Sequence, residues 1–263
     1  MAEPAGDGRS GHRAVAVNVG ANTNAPGFRG PRYPDRSFEF VPIPEPAPTV
    51  EPVPTYGDLP LSFDVPADVR DTPVHLDPEF AEYGPGERYT YGDPYGVKAR
   101  PLLDLAAGDR VYFYATLARL DEEPGGGGPA GPPWRGDGWG AYLVGRFVLD
   151  RDPVAGETDA RKPAAERAIF ANNAHVKRDP FDAAVLLHGD PSASGLFGTA
   201  VPLSAPGDGA VPNRVVTDLS ADSGRGPWWR RPLRFDADAA GRLAALASAG
   251  PEDDPLFAAG EPG

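Results

Sequence analysis

The chain contains no cysteine, which excludes disulfide frameworks, thiolate zinc sites, iron–sulfur clusters and cysteine nucleophiles, and leaves His, Asp, Glu or Asn for any metal. Lysine is nearly absent as well: only Lys98, Lys162 and Lys177 occur, so the basic complement is almost wholly Arg. Against 38 acidic residues the 25 basic ones leave a net charge of −13, unlike a generic basic nucleic-acid binder. No run approaches the roughly 18–20 apolar residues of a membrane span, and the opening MAEPAGDGRSGHR is polar throughout. A protein without a membrane segment, in the cytoplasm, is expected. GxxxxGK[ST], GxGxxG after a strand, GxSxG and HExxH are all missing, which argues against nucleotide triphosphate hydrolysis, dinucleotide redox chemistry and serine hydrolysis.

What the chain has in abundance is glycine and proline, 33 of each in 263 residues, against 40% hydrophobic residues. That balance predicts one domain with long irregular segments. An acid-rich, Lys-poor composition also resembles proteins of salt-loving prokaryotes, where molar salt screens charge within about 3 Å. Residues 1–12 and 250–263 lack apolar content and read as disordered tails, leaving a domain over 13–249.

Arg13–Val19 (RAVAVNV) alternates into a strand that runs into the turn formers GANTNAPG. Ser37–Ile43 suggests a second short strand. Six prolines from Pro42 to Pro54 then impose an extended path, either a linker or the ordered wall of a site. Asp109–Leu120 and Gly140–Asp150 read as an antiparallel pair around a glycine-rich loop carrying Trp134 and Trp139. In the first strand Val111, Phe113, Ala115 and Leu117 form an inward face, and Tyr112, Tyr114 and Thr116 offer hydroxyls on the other. Pro163–Asn173 fits a short helix, and Ala183–His188, Leu196–Leu203 and Arg214–Leu219 fit buried strands. Asp236–Ala249 fits a helix capped by its Asp. The fold class is therefore α+β: a β-rich mixed sheet or small partly open barrel with a few short helices and long Gly/Pro-rich loops.

The most chemically loaded stretch is Thr72–Gly96. His75-Leu-Asp77 places two proton carriers on one side of an extended backbone, since residues i and i+2 share a face. Three readings are open. The pair supplies two arms of a metal triad completed by His175 or His188; or Asp77 caps an Asp-Pro turn while His75 makes a structural bond; or the pair forms a metal-free acid–base site. The third is adopted, with His75, Asp77 and His175 as catalytic candidates, no metal and no identified cofactor. In Phe170-Ala-Asn172-Asn173-Ala-His175, Asn172 either caps a helix end or pairs with the edge of a base. Trp228, Trp229 and Arg231 within GPWWRRPLR either anchor the segment or stack on bases and touch phosphate. Tyr112 and Tyr114 join them as substrate-binding candidates.

The order FVPIPEP, TYGDLPL, VHLDPEF, GDRVYFYATL, AYLVGRFVL, FANNAHV and PWWRRPLRF resembles the third type of nucleotide-modification-associated domain, over residues 13–235. The long loop 120–138 and the acidic, Pro-rich segment after Ile43 depart from that pattern. The resemblance implies a role in modifying bases or nucleotides, above all of DNA, or in handling DNA so modified, with nucleic acid or nucleotide as ligand and other modification-system proteins as partners. The pair GDRVYFYATL and AYLVGRFVL also looks like the strands of small barrels that read modified bases, which implies a non-catalytic reader; a scaffold without a ligand is the third reading. In the catalytic reading His75 paired with Asp77 shuttles a proton and Asn172 fixes the base edge, which requires His75 and His175 within about 12 Å of each other.

Overall fold

The computed structural model describes residues 13–120, 138–156, 168–249 and 254–260. In chain order its strands are β1 (Ala14–Asn18), β2 (Pro31–Arg32), β3 (Ile43–Pro44), β4 (Val74–His75) and β5 (Thr90–Asp93). Helix α1 (Gly96–Leu103) follows, then β6 (Arg110–Arg119), β7 (Gly138–Val148) and β8 (Val154–Ala155). A short helix α2 (Ala174–Lys177) precedes β9 (Val185–His188), β10 (Gly195–Pro202), β11 (Ser204–Ala205), β12 (Asp208–Pro212) and β13 (Leu233–Phe235); helix α3 (Ala237–Ala249) comes last.

The pattern of β1 decides how the layers form. Val15 and Val17 point to one side and Ala14 and Ala16 to the other, and all four are buried, so the sheet carrying them is covered on both faces. That sheet has the order β10-β7-β6-β1-β13, with β2 on the same edge of β6 beyond β1. β1 and β2 run parallel to β6, while the other pairs are antiparallel. A register shift opposite Phe113/Tyr114 puts an extra residue, Val144, in β7. On one face Phe113, Phe147 and Phe80 form an edge-to-face cluster. On the other, Tyr112, Tyr114 and Leu143 pack beneath Leu243 and Leu246 of α3 and beneath Trp228. The sheet is open and the class is α+β, without a closed barrel.

The fully buried Tyr112 and Tyr114 therefore do not offer hydroxyls to a ligand: α3 and the Trp228 segment cover the face on which they lie. Ser37–Ile43 is not a strand; only Phe38 bridges to Arg32, and pairing starts at Ile43. Within Arg214–Leu219, expected as a strand, Val215–Leu219 form a π-helical turn. Asn213 Oδ1 accepts the Val215 N–H, and Ser220 N–H closes on Val215 O, so local side-chain capping overrides the β-branched sequence. The helix expected over Pro163–Asn173 lies in part outside the described residues; the remainder is a 3₁₀ turn at Ala168–Phe170. Residues 1–12 and Trp134 also lie outside them, whereas Trp139 belongs to β7. Within the expected C-terminal tail, Pro255–Phe257 make a 3₁₀ turn that buries Leu256 and Phe257 in the second cluster.

The proline-rich segment is the ordered wall rather than a linker. Glu45 N–H donates to Pro73 O, Val50 N–H to Lys177 O, and Asp179 N–H to Pro48 O, so the extended chain is laced to β4 on one side and to α2 on the other. A smaller sheet, β5-β9-β8, packs against the first face. Among the described residues no helix is long and apolar enough to cross a membrane.

Candidate functional site

β1 ends at Asn18, and its continuation leaves the sheet where Gly20 adopts φ +85°. A Cβ there would stand 3.2 Å from both Ala115 Cβ and Val41 O, so this turn needs glycine. The departure opens a cleft of about 150 Å³ at the carboxyl end of the parallel β1/β6 pair. Its lining includes His75, Asp77, Asp93, Tyr95, Lys98 and His175.

His75 closes β4 and is buried. Its Nδ1 lies 2.5 Å from Glu45 Oε2, and its Nε2 lies 3.1 Å from Nε2 of His175. Glu45 cannot donate when ionised, so His75 carries its proton on Nδ1 and turns an Nε2 lone pair toward His175. Glu45 Oε1 accepts Arg178 Nε–H at 2.9 Å. Burial alone would raise the Glu45 carboxyl, but hydrogen bonds from His75, from the Ala47 N–H and from Arg178 outweigh it and hold the group low.

His175 sits in α2, whose N-cap is Asn173: Asn173 Oδ1 accepts the His175 N–H. Burial, then the neighbouring His75 and Arg178, push the His175 imidazolium down to about 3, so the ring is neutral; a backbone hydrogen bond to Asp182 works in the opposite sense. Asp77 Oδ2 is 3.6 Å from His175 Nε2. Its carboxylate also accepts Gly92 N–H at 2.9 Å and Asn173 Nδ2–H at 2.8 Å. Burial raises Asp77 well above the ordinary carboxylate range despite those bonds, and Asp93 and Glu79 add to the rise. Tyr91 donates its hydroxyl to Asp93 at 2.9 Å, and Lys98 Nζ lies 3.5 Å from the same oxygen.

The structure thus unites three of the expected residues. His75, Asp77 and His175 each offer one ligand atom, all within 4.8 Å of one another, and together could hold a metal ion or pass a proton. The expected His75–Asp77 pairing is replaced by Glu45–His75 and by Asp77 with Gly92 and Asn173. Asn172 turns away from the centre: its Nδ2–H donates to Glu79 Oε1 at 2.6 Å and its Oδ1 accepts from Lys177. Trp228 is buried with its Nε1–H on Ala210 O, and Trp229 stacks edge-on between Trp228 and Trp139. Both belong to the face opposite the cleft. Arg231 lies at the surface, bound to Asp222 at 2.7 Å and to Arg225 O. His188 is 3.0 Å from Asp150, outside the cleft.

Residue reading missed Glu45, Lys98, Asn173 and Arg178. Only Asn173 carried a local signal, the Asn-x-His spacing in which an N-cap accepts from the residue two positions on.

A family described as nucleotide modification associated domain 3 has a model that matches residues 13–245. The chain belongs to that family. No curated protein and no solved structure matches it. The resemblance carried by VHLDPEF, FANNAHV and PWWRRPLRF is therefore shown, and two of those three segments supply the buried centre of the nucleotide modification associated domain.

Proposed function

We propose that the cleft takes up a single nucleic-acid base and that His75, Asp77 and His175 act on it in a modification reaction. One observation carries this reading: three buried polar side chains from β4, the Asp-Pro segment and α2 converge on one small opening in a chain of a nucleotide-modification-associated family. A cleft of about 150 Å³ is small for a whole nucleotide, against the roughly 300–1,000 Å³ usual for ligand pockets, so the base enters and its sugar and phosphate stay outside.

A polymer, rather than a free nucleotide, fits what lies beside the opening. Helix α1 separates the cleft from a second groove of about 490 Å³, lined by Val97, Arg100, Asp222, Arg231 and Arg234. Lys98 faces the cleft and Arg100 the groove, so a phosphate backbone can follow the helix while its base turns inward. Tyr95, 70% exposed at the mouth, offers a stacking face. Arg231 belongs to this track, and Trp228, Tyr112 and Tyr114 serve the fold.

The test is nucleoside mass spectrometry on digested DNA and RNA from cells with the gene, without it, and with Asp77→Ala. A nucleoside missing in the deletion and in Asp77→Ala is expected; identical profiles in all three would overturn modification and leave a reader of modified bases.

A further inference from the structure

We propose that His75 Nε2, Asp77 Oδ2 and His175 Nε2 bind one first-row transition-metal dication, with its remaining coordination positions open to the cleft. The inference deepens the base site above and shares its residues, but its test needs no nucleic acid.

The geometry is that of ligands around a common point. With metal–ligand bonds of about 2.0–2.1 Å, nitrogens 3.1 Å apart subtend about 100°, and the 3.6 Å between His175 Nε2 and Asp77 Oδ2 subtends about 120°. All three atoms already lie within 4.8 Å of one another, so a contraction of less than about 1 Å gathers them on one ion. The outer partners fit as well. His75 holds its Nδ1 proton against Glu45, the carboxylate–histidine arrangement that keeps Nε2 free for metal and makes it more basic. The His175 ring has a backbone hydrogen bond to Asp182, and with its proton on Nδ1 it too would free Nε2. In that tautomer both Nε2 lone pairs face each other, an arrangement that needs a cation between them. Without one, His175 instead accepts from Arg178 Nη1 at 3.2 Å and donates its Nε2 proton to His75. Metal therefore replaces a proton, and His175 changes tautomer.

Charge favours the same occupant. Glu45 and Asp182 bind Arg178, Asp77 faces the rings, Asp93 pairs with Lys98, and Glu79 acts on Asp77 from behind. Glu45, Asp77, Glu79 and Asp93 are four buried acidic groups beside two cations, Arg178 and Lys98, and a dication ligated by Asp77 offsets that surplus. Two imidazoles with one carboxylate select zinc, iron, cobalt or nickel over magnesium or calcium, and three protein ligands mark a reactive rather than a closed structural site.

The full-length protein, stripped with chelator and dialysed, is titrated with Co²⁺ by visible absorption and with Zn²⁺ by calorimetry. One ion per chain is expected. The outer-partner variant Glu45→Gln should weaken binding about 10–100-fold, and His75→Ala and His175→Ala by more than that. His188→Ala, outside the cleft, should bind as the wild type does. Because a variant can fail to fold, the wild-type chain is also followed by imidazole ¹⁵N NMR. Two of its four histidines should shift at Nε2 on Zn²⁺ addition, with His188 unmoved. Absence of Co²⁺ and Zn²⁺ binding by the folded wild type, or a shift at His188 instead, would overturn the site. Loss of nucleic-acid binding alongside intact Co²⁺ binding would sink the base reading and leave the metal.

Discussion

His75 and His175, 100 residues apart, bring their Nε2 atoms within 3.1 Å of each other with ring planes crossing at 83°. One is delivered by the two-residue β4 and the other by the four-residue α2, neither of which has enough hydrogen bonds to hold itself in place. The proline-rich wall fixes both, bonding to β4 through Glu45 and to α2 through Val50, so the contact depends on a segment with no regular structure of its own.

Gly92 sets how closely His175 can approach. A Cβ there would stand 2.9 Å from His175 Cδ2, 3.1 Å from Asn173 Oδ1 and 3.2 Å from Leu186 Cδ2, all on well-buried neighbours. Gly92→Ala is expected to destabilise the fold by about 1–3 kcal/mol and to displace the imidazole. Chemical denaturation reads the first effect. Loss of the His75–His175 contact appears as a changed imidazole ¹⁵N spectrum, and an unchanged spectrum would remove Gly92 from the site's support.

The two adjacent asparagines should separate sharply. Asn173 is fully buried, gives hydrogen bonds to Asp77 and Thr90, and accepts one from the His175 N–H. Asn173→Ala leaves these groups unpartnered and is expected to cost about 2–4 kcal/mol. Asn172→Ala leaves Glu79 with the Glu87 and Arg88 N–H groups and the Thr90 hydroxyl, and should cost below about 1 kcal/mol. Equal losses in urea denaturation would contradict this division of roles.

The difference between those asparagines also marks how far sequence reasoning reached. The alternation Val111-Tyr112-Phe113-Tyr114 announced β6, and Asp236 before an Ala/Leu run announced α3, because strand and helix periods are local properties. Burial of the tyrosine face was not legible, since its cover comes from α3 and Trp228 more than 100 residues later. His75, Asp77 and His175 stood out by residue type. Their partners did not: Glu45 lies 30 residues from His75 and 133 from Arg178, and no periodicity connects them. Val215–Leu219 misled because its β-branched residues favour strands, while the capping Asn213 two positions earlier decided the outcome.

Stacking at the mouth and burial of the tryptophans give opposite expectations for two aromatic substitutions. Tyr95→Ala should leave stability within about 0.5 kcal/mol, because the side chain is largely exposed, and weaken single-stranded oligonucleotide binding by about 1–3 kcal/mol. Trp228→Phe removes a buried indole and its bond to Ala210 O, so it should lower stability while affinity per folded molecule stays constant. Fluorescence anisotropy on both variants tells them apart; a binding defect in Trp228→Phe alone would return the tryptophans to the ligand site.

The basic groove makes a salt-dependence test. Arg100 and Arg234 line it within a chain of net charge −13, so their contribution to binding is local rather than a property of the whole surface. Replacing both with Gln is expected to flatten the slope of log affinity against log salt by about 1–2 for a single strand, each phosphate contact contributing roughly 0.7. A double variant with the wild-type slope would place the phosphate path elsewhere.

The last segment decides whether the second core and the cleft are coupled. Leu256 and Phe257 pack on the α3 side of the main sheet, while Arg214 N–H donates to Ala258 O and Gly260 N–H to Pro212 O, tying the segment to β12 and the π-helical turn. Ending the chain at residue 253 removes two large buried side chains and should cost at least about 3 kcal/mol, a fall in Tm of roughly 6–12 °C at this size. The cleft lies across the sheet, with β6 and β1 between, and the side-chain hydrogen bonds of Glu45, His75, Asp77 and Arg178 there are made with residues no later than Asp182. Co²⁺ affinity measured well below the lowered Tm should therefore equal that of the full chain. A parallel loss of affinity would mean that the two faces of the sheet are energetically coupled through β1, whose residues alternate between the two cores.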